Sequence, residues 1–309
     1  MSPALDVLAM GRSLVDLYPR QDGPLERVTE FQPSVGGSPT NVAIAAARLG
    51  RRAGVISRVG DDGFGRLVRA ELDRIGVDTA QVLPVAGRTT AVAICEISPP
   101  DNPLTIYRPD PAADLAIEPE QLDLEVVRDA GVLWLSLSGF SGEPSRAAHL
   151  RAARERAGRP TVLDLDYRPA FWRGEQDAAA AAKDVLGLAT VLIGNLEECR
   201  IALGAADAAS AAQAMLDAGA HLAVVKLGED GVVARTADET AQVAPIPVTL
   251  ANGLGSGDAF GGALCHGILS GWPLAEVLGF ANAAGALVAS RRGCSSAMPT
   301  VAEVEALRR

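Results

Sequence analysis

Short apolar runs alternate along the chain with longer segments of helical period. Leu5–Met10, Ala53–Val59, Ala91–Ile97, Val132–Leu137, Thr161–Leu165, Val191–Ile193 and Leu222–Leu227 are too short for most helices, and several are apolar at successive positions. Strands buried on both faces read this way, because neither face meets water. Between them, Thr40–Leu49, Gly65–Ile75, Ser145–Arg156, Gln176–Leu186 and Ala209–Ala218 repeat apolar residues at helical spacing. Strand–helix alternation predicts an α/β fold, with a mostly parallel central sheet flanked by helices on both faces. The absence of an internal repeat or low-complexity linker predicts one domain over residues 1–309.

Two stretches break the rhythm. Residues 15–35 and 88–110 are rich in Pro, polar and β-forming residues and show no helical period. Parallel neighbours need long crossovers, so these read as hairpin-like excursions forming a small β-rich lid. A pair of surface loops fits the composition equally well.

Composition narrows the function. Of 309 residues 48% are apolar and 4% aromatic, so the core is aliphatic. The net charge of −10, without a Lys/Arg run, excludes a nucleic-acid-binding face. Cys95, Cys199, Cys265 and Cys294 form no C-x-x-C pair and there are three His, which argues against zinc. No basic-then-apolar leader opens the sequence and no membrane-length apolar window is free of Gly, Asn, His or Arg. A cytoplasmic protein with no membrane partner is expected.

The chemistry concentrates at Asn252-Gly253-Leu254-Gly255-Ser256-Gly257-Asp258-Ala259-Phe260, between a β-like segment (Val243–Leu250) and a helical run. Alternating glycines uncover backbone N–H groups at a helix start, where the dipole also favours an anion. No Gly-Lys-Ser/Thr follows, the glycine spacing misses the dinucleotide fingerprint, and G-x-S-x-G is absent. Read locally, Asp258 is first a helix cap. A carboxylate aimed at a phosphate site is costly, however, unless it takes a proton from an attacking hydroxyl.

Two segments carry a family resemblance. Gly36-Gly37-Ser38-Pro39-Thr40-Asn41 is similar to the amino-terminal Gly-Gly-x-x-x-Asn signature of the ribokinase-like (PfkB) sugar kinases, and Gly255-Ser256-Gly257-Asp258 resembles their carboxy-terminal Gly-Ala-Gly-Asp signature. The resemblance covers essentially the whole chain and implies an ATP- and Mg2+-dependent kinase with a substrate lid. It implies Asp258 as the catalytic base, with Gly255, Ser256 and Gly257 holding the transferred group. Asp16, Gly36, Gly37 and Asn41 would meet the sugar. Asn195, Glu198, Lys226, Gly228, Gly231 and Asn282 would lie on the nucleotide side, with no residue assigned to a metal. A cap for Glu198, solvent for Lys226 and plain helix packing around Asn282 remain competing readings.

Arg108, after Tyr107, and Arg168, in Asp166-Tyr167-Arg168, suggest a bidentate partner for a carboxylate. Either alone is more ordinarily a structural pair. Together they suggest an acid sugar. Asp166 where the family usually has Asn, Gly36-Gly37-Ser38-Pro39-Thr40-Asn41, Asn252-Gly253-Leu254-Gly255 and the tail Cys294–Thr300 resemble one subgroup of the family. That resemblance implies 2-deoxy-5-keto-D-gluconate before 2-keto-3-deoxygluconate, with neutral hexoses or ribose third. A homodimer through the lid is also expected. A non-catalytic sugar-binding regulator would have lost Asp258 or the glycine turn, and both are intact. A dehydrogenase is disfavoured by the missing fingerprint.

Overall fold

The computed structural model describes residues 4–97 and 104–309. The first half runs β1 (Val7–Met10), β2 (Leu14–Pro19), β3 (Phe31–Gly36), α1 (Ser38–Arg48), β4 (Ala53–Gly60), α2 (Gly63–Ile75), β5 (Asp78–Val85), β6 (Val92–Cys95) and β7 (Leu104–Tyr107). Next come α3 (Leu124–Asp129), β8 (Val132–Ser136), α4 (Ser145–Glu155), β9 (Thr161–Asp164), α5 (Glu175–Val185), β10 (Val191–Asn195), α6 (Leu196–Leu203) and α7 (Ala208–Asp217). The chain ends with β11 (Leu222–Lys226), β12 (Val232–Arg235), β13 (Thr240–Val243), α8 (Ser256–Ser270), α9 (Leu274–Ala289) and α10 (Val301–Leu307).

Nine strands form the main sheet in the order β13-β12-β11-β10-β9-β8-β1-β4-β5, parallel except where β12 and β13 turn back. Every residue of β1, β4, β8 and β9 is buried. Successive side chains leave opposite faces, so Val7, Ala9, Val132 and Trp134 join one core layer and Leu8, Met10, Leu133 and Leu135 the other. Helices α1, α8 and α9 cover the first layer, and α4, α5 and α7 cover the second. The expected α/β architecture is therefore present.

The two irregular stretches supply the strands of a second, smaller sheet, ordered β3-β2-β6-β7. It is mixed rather than wholly antiparallel: β2 pairs with β3 as a hairpin, but β2 and β6 run parallel. Residues 98–103, inside the second stretch, lie outside the described residues. The β-like reading of Val243–Leu250 holds only at Val243, where β13 ends. Pro245 and Pro247 offer no N–H to a ladder. Strand β5 escaped the pattern because it is the edge of the main sheet and half its residues face solvent.

Close helix packing sets the spacing of the central elements. A Cβ on Gly262 of α8 would stand 2.5 Å from the Ala45 Cβ and 2.9 Å from the Ala46 nitrogen of α1. On Gly261 it would meet the Trp134 ring at 2.5 Å. Glycine at both places lets α8 lie directly on α1 and on the sheet. That contact brings the starts of the two helices together.

Candidate active site

In parallel α/β sheets, ligands gather beyond the carboxyl ends of the strands. Here β1 is followed by Arg12, β9 ends at Asp164 with Asp166 and Arg168 just beyond, β10 ends at Asn195, and β11 ends at Lys226. Helix α8 enters the same region. Its first turn follows Gly255, held at φ +82°, where a Cβ would sit 2.1 Å from the Cys294 Sγ. The buried Asn252 accepts from the Leu254 N–H at 3.1 Å and so ties the turn locally.

Asp258 stands in the first turn of α8, but no side chain caps that helix. Its Oδ2 instead accepts a 2.8 Å hydrogen bond from the Asn41 Nδ2 of α1. Burial raises the Asp258 pKa, while the Asn41 amide opposes that rise. Asp16 of β2 is buried too, and burial followed by the nearby Asp258 charge pushes it up to about 7. Gly36 must lack a side chain because a Cβ there would lie 2.3 Å from the Asp16 carboxylate. Gly37, at φ +101°, would clash with the Arg12 carbonyl at 2.2 Å.

The glycine turn separates two cavities. On one side, a cavity beneath the small sheet is lined by Asp16, Gly37, Asn41, Arg168, Gly255 and Asp258. On the other, a cavity of ≈ 670 Å³ is lined by Lys226, Gly228, Gly231, Ser256, Gly257 and Asn282, with an apolar wall including Ile246, Val248 and Phe260. The turn is thus shared, with Gly255 and Asp258 on the first side and Ser256 and Gly257 on the second. Asn282 donates to the Ala244 carbonyl at 2.8 Å.

Asn195 and Glu198 line neither cavity. They form the capping box of α6, in which Glu198 Oε2 accepts from the Asn195 N–H at 2.7 Å. Lys226 joins them to the site. Its Nζ lies 3.5 Å from Asp164 and 3.9 Å from Glu198, and these carboxylates hold the lysine pKa high against the opposing effect of burial.

Arg168 lines the first cavity, and its Nε contacts Asp166 Oδ1 at 2.9 Å. Burial would raise Asp166, but Arg168 and Arg12 outweigh it and keep the carboxylate ionised. Arg108 is bonded through Nε and Nη2 to Asp114, at 3.2 and 2.6 Å. Tyr107 is 59% exposed, because strand alternation turns Leu104 and Ile106 to the cavity and Tyr107 to the other face. The sequence reading missed Arg12 and Cys294, both lining the cavity, and Asp164 beside Lys226.

A carboxylate and a helix N-terminus between a small polar recess and a larger apolar-walled cavity define a phosphotransferase acting on a hydroxyl. The chain belongs to the pfkB family of carbohydrate kinases, whose model matches residues 4–301. It is 35% identical to the 5-dehydro-2-deoxygluconokinase of Geobacillus kaustophilus over 97% of this chain and 92% of that protein. Against the same-named protein of Shouchella clausii the identity is 34%, over 98% and 95% of the two chains. Among solved structures, the PfkB protein of Polaromonas sp. JS666 superposes with TM-score 0.87 at 27% identity, covering 98% of this chain and all of that one. The fructokinase of Xylella fastidiosa with bound ATP gives 0.87 at 28%, covering 97% of each chain.

Proposed function

We propose that this chain transfers the γ-phosphoryl group of Mg-ATP to the terminal hydroxyl of 2-deoxy-5-keto-D-gluconate. The observation that carries the reading is the glycine turn, which faces both cavities and sets Asp258 at their junction. The relatives named 5-dehydro-2-deoxygluconokinase and the cluster of arginines beside the recess support an acid sugar.

Asp16, Asn41 and the backbone at Gly36 and Gly37 hold the sugar hydroxyls. Asp258 accepts the proton of the attacking hydroxyl as its oxygen bonds to phosphorus. The N–H groups of Gly255, Ser256 and Gly257, at the positive end of α8, stabilise charge on the moving group. ATP supplies the phosphoryl group when bound. Lys226, Gly228, Gly231 and Asn282 suit it, and the Xylella fructokinase supports ATP as donor. No cluster of three metal-ligating side chains occurs among the described residues. Asp164, Asn195 and Glu198 would be the oxygen donors available to Mg2+ bound with the nucleotide, where the ion would neutralise phosphate charge. Arg168 steadies the acid sugar, and Arg108 keeps Asp114 and the lid-side wall in place.

In the same reading, residues 1–309 work as one kinase domain and the small sheet is its lid, through which two copies pair. No helix among the described residues is long and apolar enough to cross a membrane, and a cytoplasmic location accords with ATP as donor.

Coupled ADP release measured on 2-deoxy-5-keto-D-gluconate, 2-keto-3-deoxygluconate, fructose and ribose tests the substrate. The highest kcat/KM is expected on the first. Equal or better turnover of fructose or ribose would sink the acid-sugar reading, and a preference for 2-keto-3-deoxygluconate would transfer it to that acid.

A further inference from the structure

The arginine that the sequence pattern passed over is the most unusual side chain in the molecule. Arg12 occupies the turn between β1 and β2 and is 6% exposed. Its Nε and Nη1 have no hydrogen-bond partner, and its Nη2 comes only within 3.9 Å of Asp166. Buried guanidinium groups are ordinarily saturated with acceptors. Arg156, also buried, comes close to that rule: its Nη1 and Nη2 reach the carbonyls of Val127, Arg128, Ala130, Gly131 and Pro160, and only its Nε has no partner. Arg58 likewise donates to the Ser57 and Gln81 carbonyls and to Gln121.

Arg12 differs in position as well as in bonding, since it lines the recess that holds Asp16 and Asp258. Its neighbours leave it without a close ion pair. Arg108 is paired with Asp114, while Arg168 and Arg12 share the single carboxylate of Asp166. The Phe171 ring lies 4.2 Å from the Arg12 guanidinium carbon and holds the fork flat. A buried cation that lines the recess and has N–H donors without acceptors calls for an anionic acceptor supplied from outside.

We propose that Arg12 grips the carboxylate of the acid sugar through its guanidinium group and so sets the enzyme's choice of acid over neutral sugars. This deepens the acid-sugar reading and rests on it. Arg168 then has the lesser part, keeping Asp166 ionised at the rim, and Arg108 also stacks on the Phe171 ring, 4.6 Å from its centre.

The test pairs substrate chemistry with substitution. Wild type, Arg12→Gln and Arg12→Lys are assayed for kcat and KM on 2-deoxy-5-keto-D-gluconate, on its primary amide and on fructose, with melting temperature as the fold control. In wild type the acid should exceed the amide in kcat/KM. Arg12→Gln should raise KM for the acid by roughly 10–150-fold, the range for a charge-assisted contact, and erase the acid-to-amide ratio. Its KM for fructose should hardly move. Arg12→Lys, which keeps the charge without the fork, should retain an intermediate ratio, and it decides the matter alone if Arg12→Gln fails to fold. A variant that keeps the wild-type ratio, or that loses acid, amide and fructose equally, overturns the role of Arg12 while leaving the acid-sugar reading intact. A wild-type enzyme that prefers fructose to the acid overturns both.

Discussion

The two aspartates of the recess, Asp16 buried and Asp258 half-buried, are assigned different work. Asp258 touches Asn41 and the helix mouth, so Asp258→Asn should leave the fold and ATP binding intact and lower kcat by roughly 10²–10⁴-fold. Steady-state kinetics beside a nucleotide titration checks this, and near-normal turnover would reduce Asp258 to a packing residue. Asp16 makes a different statement, about stability. Its folded-state pKa near 7 lies above the ordinary 3.8, so the folded protein favours the protonated form. Stability from this group is therefore greatest at low pH and is lost as pH rises between about 4 and 7, by up to a few kcal/mol. Asp16→Asn removes that slope. The variant should melt above wild type at pH 8, and the gap should close toward pH 4. An unchanged gap across that range would show that Asp16 is solvated. The sugar KM should rise in the same variant, because the ionised carboxylate accepts from hydroxyls and the amide does so only through its oxygen.

Between elements, the contact that matters most is α1 against α8, because it carries Asn41 to Asp258. Gly262→Ala would press a Cβ onto Ala45 and the Ala46 backbone, and backbone does not move aside cheaply. The substitution should cost about 1–3 kcal/mol of stability, on the scale of overpacking, and lower kcat more than it raises KM for ATP. Gly279→Ala on α9 is the control, since its Cβ would meet only the Arg308 tip at 3.7 Å and alanine favours the helix. Thermal melts and kinetics of the pair decide it; wild-type values for Gly262→Ala would show that the helices have slack. The sequence made most elements of the main sheet visible, because β1, β4, β8 and β9 are buried on both faces and carry no competing period. It hid β5, an edge strand with a wet face, and β12 and β13, which are short and partly exposed. Glycine and carboxylate positions of the site were legible because a tight turn restricts residue type. Arg12 was not, because its meaning lies in the acceptors it lacks, and only the folded chain reveals that Arg156 has them and Arg12 does not.

At the scale of the whole molecule, the small sheet presents a face that the single chain covers only in part. Register puts Asp16, Tyr18, Ala93 and Ile106 on the side of the recess. The same register and the twofold strand period turn Leu17, Phe31, Ile94 and Tyr107 to the opposite side. Leu17 and Ile94 are only partly buried, and Phe31 and Tyr107 are exposed. Among the described residues both outer strands, β3 and β7, also have an edge without a strand partner, which a chain must protect or use. Pro33 interrupts one of them, but β7 has no such guard among its described residues. Apolar side chains gathered on one face of a sheet are a surface for association. We therefore expect two copies to pack these outer faces together, with each lid braced by the other. Light scattering should give twice the monomer mass at micromolar concentration. Phe31→Glu with Tyr107→Glu should yield a folded monomer, because both side chains already face water in the isolated chain. An unbraced lid closes less firmly on the recess, so the monomer should show a higher sugar KM and an unchanged KM for ATP. A wild-type protein that runs as a monomer refutes the pairing. A monomeric variant with wild-type sugar KM would leave the dimer in place and free the lid from dependence on it.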